Sequence, residues 1–180
     1  VTVTPTGETQ TFEESNDTLD TASATQLNTD TPNLNLAGEI GNNDFGNQDI
    51  DLYRLDLREG DQLTADINTN DNSSFDSVLR LFDSFGQEIA RNDDAPSFNS
   101  SSSQEGDSLL EFSADTPQTY YLGVSGFGNS NYNPSQENSG SKGSTGPYNL
   151  ALTLTSTGSE NPSNDTISQS IDASSPLAED

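Results

Sequence analysis

Apolar residues in this chain fall in short blocks, and within each block every second position is apolar. The segment Tyr148–Leu154 shows this pattern most clearly, and Tyr53–Leu57 and Leu63–Ile67 repeat it. Side chains two positions apart lie on the same face of a β-strand, so each block predicts a strand with one buried face. Apolar residues nowhere recur over a useful length at the spacing of three and four that an amphipathic helix requires, so we expect few helices.

Shorter blocks predict the remaining strands. Glu59–Asp61, a turn sequence centred on glycine, separates Tyr53–Leu57 from Leu63–Ile67 and predicts that these two strands form a hairpin. A total of seven or eight short strands separated by turn signals is typical of an all-β, antiparallel β-sandwich. The additional predicted strands are Leu34–Ile40, Phe75–Leu81, a short strand through Ile89, Leu110–Phe112 and Tyr120–Val124.

Two long polar loops interrupt this pattern, at Asp93–Asp107 and Ser125–Pro147. Loops of this length inside a compact domain are usually functional or are ordered by a ligand. A plain flexible insertion is the alternative, and the residues do not decide between the two interpretations.

The charge of the chain limits its partners. Thirty Asp and Glu against five Lys and Arg give a net charge of −25. Such a surface repels phosphate groups, so we expect neither nucleic acid nor an anionic membrane as a partner. No stretch approaches the roughly 18 apolar residues of a membrane span, so we expect no membrane insertion. Solubility or adaptation to saline water would explain much of the charge, but not why Asp and Asn cluster at particular positions.

The absent residue types restrict the chemistry further. The chain contains no Cys, His, Met or Trp, and Lys142 is its only lysine. Zinc, haem, iron–sulfur and copper sites normally use Cys, His or Met, so a metal would have to bind through oxygen, which favours calcium. Catalytic triads and Cys–His pairs are excluded for the same reason, and we expect the protein not to be an enzyme.

Asp49 and Asp51 are the first candidate site. They stand two positions apart at the entry to the strand that contains Tyr53, so their carboxylates share one face. Two carboxylates held this close repel each other unless a cation lies between them, which favours calcium. A solvated turn is the alternative. A glycosidase pair is a third interpretation, although such sites normally add aromatic platforms for the sugar.

A second candidate group lies at Asn92, Asp93 and Asp94, with Asp76 as a further partner from the neighbouring strand. In a turn, their oxygens can converge on a hard cation. An Asx turn, in which these side chains bond their own backbone, explains the same residues equally well. An EF-hand loop is excluded at Asp66–Ser77, because its sixth position is not Gly and its twelfth is not Glu.

Six segments in this order resemble the bacterial pre-peptidase C-terminal domain family, whose relatives include the collagen-binding domains of clostridial collagenases. The resemblance implies a β-sandwich of jelly-roll type, and family members are accessory modules that flank secreted peptidases or occur in multidomain surface proteins. The matching segments are Glu14–Leu19, Asp49–Leu55 leading to Glu59–Asp61, Phe75–Asp83, Glu88–Asp94, Thr119–Gly126 and Gly146–Leu150.

The resemblance also implies a set of calcium ligands. In the collagen-binding relatives an N-terminal acidic segment and the Asp residues before the Tyr strand hold calcium, which implicates Glu14, Asn16, Asp17 and Asp51, and with less support Asp49. Phe12 stands where a second N-terminal Glu is often found, so a ligand is missing or is replaced by Glu13 or Asp44. The motifs do not carry over a collagen-binding surface, so collagen binding is not predicted.

The termini suggest that the domain has a neighbour. Asn16-Asp17-Thr18 recurs 148 residues later as Asn164-Asp165-Thr166, which predicts that residues 158–180 begin another repeat. We therefore expect an N-terminal extension or linker strand at residues 1–12, the sandwich at residues 13–157, and this tail. The chain begins at Val1 without a signal peptide, as expected of a processed mature form or an excised fragment.

Two functions follow from these observations. The first is a secreted or cell-surface, calcium-binding module that adheres to a matrix or surface polymer. The second is a structural subunit that assembles head to tail with copies of itself into a filament or surface layer, through the β-prone segment Val1–Thr4 or through the tail from Glu160.

Overall fold

The fold is given by a computed structural model, which describes residues 9–11, 14–70, 73–95 and 106–156. This part of the chain forms ten strands and one short 3-10 helix at Gly46–Gln48. The strands are β1 (Thr9–Thr11), β2 (Ser23–Ala24), β3 (Asn33–Ile40), β4 (Ile50–Leu57), β5 (Asp61–Asn68), β6 (Ser77–Phe82), β7 (Glu88–Asn92), β8 (Leu109–Ser113), β9 (Gln118–Gly126) and β10 (Gly146–Ser156).

The strands are divided between two five-stranded sheets. The first sheet has the order β1-β3-β10-β5-β8, and the second has the order β2-β4-β9-β6-β7. All pairings are antiparallel except those of β1 with β3 and of β2 with β4, which are parallel. The predicted all-β sandwich is confirmed, while its designation as a jelly roll stays a prediction.

The alternating pattern produces the core between the sheets. Inward-facing residues of both sheets form one buried cluster, to which β4, β5 and β10 contribute their alternate positions. In β10, for example, Leu150 and Leu152 are at most 1% exposed, whereas the intervening Ala151 is half-buried. Strands β5 and β10 therefore bury the face that their sequence period predicted, because that face holds their large apolar side chains.

The predicted hairpin between Tyr53–Leu57 and Leu63–Ile67 is wrong. These segments lie in β4 and β5, which belong to different sheets and pair with β9 and with β10, respectively. The turn at Gly60, with a φ of 85°, carries the chain across the sandwich. A period of two fits both arrangements, because strands that face each other across a core bury the same alternate residues as strands that lie side by side.

The long loop between β9 and β10, residues 127–145, covers the outer face of the second sheet. Its Tyr132 is 3% exposed and packs in a second buried cluster with Ile50, Leu52 and Phe82. All six residues of β6 are consequently buried, on both faces of the strand. The structure thus gives this loop a packing role that neither interpretation of its sequence included. The other long loop is described only at its two ends.

Buried Arg80 fastens the loop to the second sheet. Its guanidinium donates a hydrogen bond of 2.9 Å to the carbonyl of Tyr132 and forms an ion pair of 2.6 Å with Glu88. Its terminal carbon also lies 4.3 Å from the centre of the Tyr132 ring and 4.6 Å from that of Phe82. A buried arginine is tolerated here because its charge is paired and its planar face stacks on aromatic rings.

Strand β1 lies within the predicted N-terminal extension and joins the edge of the first sheet. The segments Val1–Thr4 and Glu160–Ile167 lie outside the described residues, as does the whole predicted tail. Within the described ranges, none of the helices is long or apolar enough to cross a membrane.

Candidate metal site

Asp49 and Asp51 lie at one end of the core of the sandwich. The inward face of β4 is lined by Tyr53, Leu55 and Leu57, and the two aspartates continue that face at the same spacing of two. Asp49 is 0% exposed and Asp51 is 2% exposed. The predicted shared face is therefore correct, but the pair is buried at the margin of the core instead of standing at a solvated strand entry.

The N-terminal segment brings a third carboxylate to this pair. The amide of Leu52 donates a hydrogen bond of 2.8 Å to the carbonyl of Asn16, which fixes the segment beside the start of β4. One carboxylate oxygen each from Glu14, Asp49 and Asp51 then lie within 4.8 Å of one another. Glu14 lies far from Asp49 and Asp51 in the sequence, so the two segments converge only in the folded chain.

Hydrogen-bond donors from the loop after β3 hold two of these carboxylates. The amide of Gly41 donates to Asp49 Oδ2 at 2.6 Å, and the Asn43 side chain donates to Asp49 Oδ1 at 2.5 Å. The Asn42 side chain donates to Glu14 Oε1 at 2.7 Å. Apart from Asp44, the residues of this loop were not predicted to belong to the site, although the run Gly41-Asn42-Asn43-Asp44 directly after a predicted strand was a usable signal. Gly41 has a φ of 104°, which favours glycine.

Asp17 adjoins the cluster without being one of its three convergent carboxylates. It is 3% exposed and accepts longer hydrogen bonds, of 3.3 and 3.4 Å, from the Asn43 side chain. Its negative charge helps to raise the pKa of Asp49, after the larger effect of burial.

Burial dominates the electrostatics of the site. Burial, with a smaller contribution from the neighbouring charges of Asp49 and Glu14, raises the pKa of Asp51 to about 8, against the hydrogen bond from Tyr148. Burial also raises the pKa of Asp49 to about 7, with added repulsion from Asp17 and Glu14. The pKa of Glu14 and that of Asp17 are raised for the same first reason. Without a cation, ionising this cluster is therefore unfavourable.

Asn16 supplies an oxygen that has no partner among the residues that the structure describes. The residue is 3% exposed, and its Oδ1 is buried without a hydrogen-bond donor. A buried carbonyl oxygen without a partner costs free energy, so such an atom points to a missing ligand. With the three carboxylates it makes an all-oxygen donor set, which is the type that hard cations such as calcium prefer. The residues present fit a bound calcium ion.

The loop over the second sheet also reaches the site. The Asn129 side chain, 0% exposed, donates a hydrogen bond of 3.2 Å to the carbonyl of Asp49 and accepts one of 2.9 Å from the amide of Ser141. The Gln48 side chain donates to the carbonyl of Gly140 at 2.8 Å. The position of Asp49 thus depends on residues 127–145 as well as on β4.

Of the two residues expected to compensate for Phe12, the structure describes only Asp44. Phe12 and Glu13 lie outside the described residues. Asp44 is exposed and is not one of the three convergent carboxylates.

The second candidate group is more open. Asp93 and Asp94 are exposed, and both are near enough to Asp76 for their charges to raise its pKa, after the larger effect of partial burial. The Oδ1 of Asn92 already accepts a hydrogen bond of 3.0 Å from the amide of Leu109. Among the described residues, the metal-type cluster of carboxylates forms at Glu14, Asp49 and Asp51 and not here.

Comparison with solved structures places three proteins beside this chain. PliG of Aeromonas hydrophila, a periplasmic inhibitor of g-type lysozyme, is 17% identical, with a TM-score of 0.47 over 74% of this chain and 96% of that one. The pre-peptidase C-terminal domain of a Bacillus anthracis collagenase is 13% identical, with a TM-score of 0.43 over 82% and 96%. CorA, a surface-associated copper-binding protein of Methylomicrobium album BG8, is 9% identical, with a TM-score of 0.45 over 74% and 98%.

The family comparison concerns the central part of the sequence. No curated protein matches the chain. The model of the bacterial pre-peptidase C-terminal domain matches residues 49–126, which run from the first aspartate of the site to the end of β9. The resemblance found in the sequence is thereby confirmed: this chain carries the bacterial pre-peptidase C-terminal domain signature over residues 49–126.

Proposed function

We propose that this protein is a non-enzymatic, calcium-binding β-sandwich module that works outside the cell and adheres to a matrix or surface polymer. The observation that carries the calcium assignment is the convergence of exposed Glu14 with buried Asp49 and Asp51, together with the Asn16 oxygen that has no partner among the described residues. A divalent cation there would neutralise carboxylates whose charges otherwise repel each other in a poorly solvated place.

Calcium suits this donor set better than the common alternatives. The chain has no Cys, His or Met, the residues that bind zinc or copper most readily. Magnesium usually retains several of its waters and binds through one or two carboxylates, whereas this site offers three carboxylates and an amide oxygen. Extracellular calcium modules operate with dissociation constants of about 0.1–1 mM, which fits a protein that works outside the cell.

The ion would act as a cross-link. Glu14 and Asn16 belong to the segment before β2, whereas Asp49 and Asp51 belong to the entry of β4. An ion bound by both segments would fasten the N-terminal segment to the sandwich and would oppose its release. The expected role is therefore structural, since it holds the module together at the end where the chain enters the domain.

The burial of Asp51 argues against catalysis at this site. Its side chain is 2% exposed, and one of its oxygens is occupied by the Tyr148 hydroxyl. A general acid or nucleophile must reach its substrate within hydrogen-bond distance, and this carboxylate is closed off by the core. We therefore favour a binding module over an enzyme.

The strongly acidic surface agrees with an extracellular polymer, or another copy of the chain, as partner in preference to nucleic acid. Self-assembly through the termini remains the alternative function. Its predicted contact segments lie outside the described residues, so the geometry adds nothing in its favour.

Calcium binding is tested most directly by thermal unfolding in calcium and in chelator. At a calcium concentration of about 100 times the dissociation constant, we expect about 2.7 kcal/mol of added stability, seen as a raised melting temperature. Magnesium at the same concentration serves as the control for ionic strength. The same melting temperature in calcium and in chelator would contradict the proposal.

A further inference from the structure

The hydroxyl of Tyr148 lies directly behind the candidate metal ligands. Tyr148 is in β10, on the inner face of the first sheet, and its hydroxyl donates a hydrogen bond of 2.5 Å to Asp51 Oδ2. Asp51 lies in β4 of the second sheet. The bond therefore crosses the core and ties the site to the opposite sheet.

The Tyr148 side chain is held in place on three sides. Its ring stacks on Phe75 with a centroid distance of 6.0 Å and an interplanar angle of 28°. It also lies against Gly38 of β3, where a methyl group would overlap the Tyr148 hydroxyl. The Tyr53 hydroxyl lies 2.8 Å from that of Tyr148. These contacts restrict the ring, so they hold its hydroxyl close to Asp51.

The number of available protons determines which of the two tyrosine hydroxyls donates to the other. The Tyr148 hydroxyl has one proton, and it uses that proton in the hydrogen bond that it donates to Asp51. Toward Tyr53 it can then act only as an acceptor, so the Tyr53 hydroxyl donates to it. The hydrogen bonds thus run from the Tyr53 hydroxyl to the Tyr148 hydroxyl, and from there to the Asp51 carboxylate. Each bond polarises the next and strengthens it.

We infer that Tyr148 is a positioning residue of the metal site: it occupies Asp51 Oδ2, so that Asp51 presents its other oxygen, Oδ1, to the ion. This inference rests on the proposed calcium-binding function. Partners that orient a ligand reduce the freedom it must lose when the ion binds, and their removal typically weakens metal affinity about 10- to 100-fold. The Tyr53 hydroxyl does not touch Asp51 in this arrangement, but it strengthens the Tyr148–Asp51 bond by donating to the Tyr148 hydroxyl.

The same geometry makes the tyrosines reporters of the ion. The chain has five Tyr and no Trp, so tyrosine dominates its near-ultraviolet absorption. A cation bound to Asp51 would compensate its negative charge. The electric field at the Tyr148 hydroxyl would then change, because only one hydrogen bond separates the two groups. We expect calcium to produce a tyrosine difference spectrum in the wild-type protein.

Substitution of single hydroxyl groups tests the inference. Tyr148→Phe removes the donor but keeps the packed ring. Tyr132→Phe is the matched control, because Tyr132 is also buried but packs against Phe82, away from the three convergent carboxylates. With calcium affinity measured by competition with a chromophoric chelator, Tyr148→Phe should weaken binding about 10- to 100-fold. Tyr132→Phe should leave the affinity unchanged, and Tyr53→Phe should fall between them.

The outcomes separate the inference from the proposed function. If the wild-type protein binds no calcium, the proposed function fails and the inference fails with it. If the wild-type protein binds calcium and Tyr148→Phe binds it equally well, the inference alone is overturned. Should Tyr148→Phe not fold, the wild-type difference spectrum decides, because calcium binding without any tyrosine signal would also overturn the inference.

Discussion

The two acidic groups of this protein are similar in composition but differ in burial. Around Asp49 and Asp51 the carboxylates are at most 2% exposed, converge within 4.8 Å with Glu14, and adjoin an unpartnered amide oxygen. At Asp93 and Asp94 the carboxylates are exposed, and the amide oxygen of the neighbouring Asn92 is already hydrogen-bonded.

The difference shows that a high density of Asp and Asn does not by itself make a metal site. In the first group, water barely reaches Asp49 and Asp51, so a cation would stabilise charges there that water does not. In the second group, water solvates Asp93 and Asp94 well, and an ion would compete with that solvation for little benefit. If this comparison is correct, variants of the two groups will respond to calcium very differently.

The largest effect is expected from Asp51→Asn. Loss of the charge should remove most of the calcium-dependent rise in melting temperature, because a buried ligand and one of three convergent carboxylates are lost together. In chelator at pH 8 the variant should instead match or exceed the wild-type melting temperature, since it has one buried carboxylate fewer to ionise. A reversal of sign between calcium and chelator is thus the expected signature. Equal loss of stability in both conditions would show that Asp51 is structural only.

The second largest effect is expected from pH, which should change the stability of the calcium-free protein. Burial raises the pKa of Asp51 to about 8 and that of Asp49 to about 7, well above the values of about 3.9 in an unfolded chain. The calcium-free folded state therefore binds more protons than the unfolded state between about pH 4 and pH 8, and its stability should fall as pH rises through that window.

Calcium affinity should rise over the same pH window, because the ion displaces protons from the carboxyl groups. Chemical denaturation at pH 5 and pH 8, each with and without calcium, measures both trends. Asp51→Asn is the control, and it should flatten the chelator curve. A calcium-free wild-type protein that is more stable at pH 8 than at pH 5 would contradict the assignment.

The smallest effect is expected from the double variant Asp93→Asn and Asp94→Asn. Exposed charges act on the first site only through solvent and salt, so the calcium affinity should change by no more than about twofold at physiological ionic strength. Titration calorimetry gives the affinity and the number of ions bound. The loss of one bound ion per chain in this variant would break the comparison and establish the second group as a site.

Part of the candidate site could be predicted from the sequence. The period of two in β4 placed Asp49 and Asp51 on one face, and the resemblance to the pre-peptidase C-terminal family brought Glu14, Asn16 and Asp17 into the set. Tyr148, Asn43 and Asn129 could not be found in this way. They reach the site from β10 and from two loops, and a local pattern does not record which distant segments become neighbours.

The fold, like the candidate site, was only partly predictable from the sequence. The sequence determined by itself that the chain forms short strands with one buried face, because apolar side chains at every second position have only one way to leave water together. Which sheet each strand joins was decided by the tertiary structure, as the failed hairpin at Gly60 shows. The metal site depends on that decision, since the sandwich places Tyr148 of one sheet opposite Asp51 of the other and buries both away from competing water.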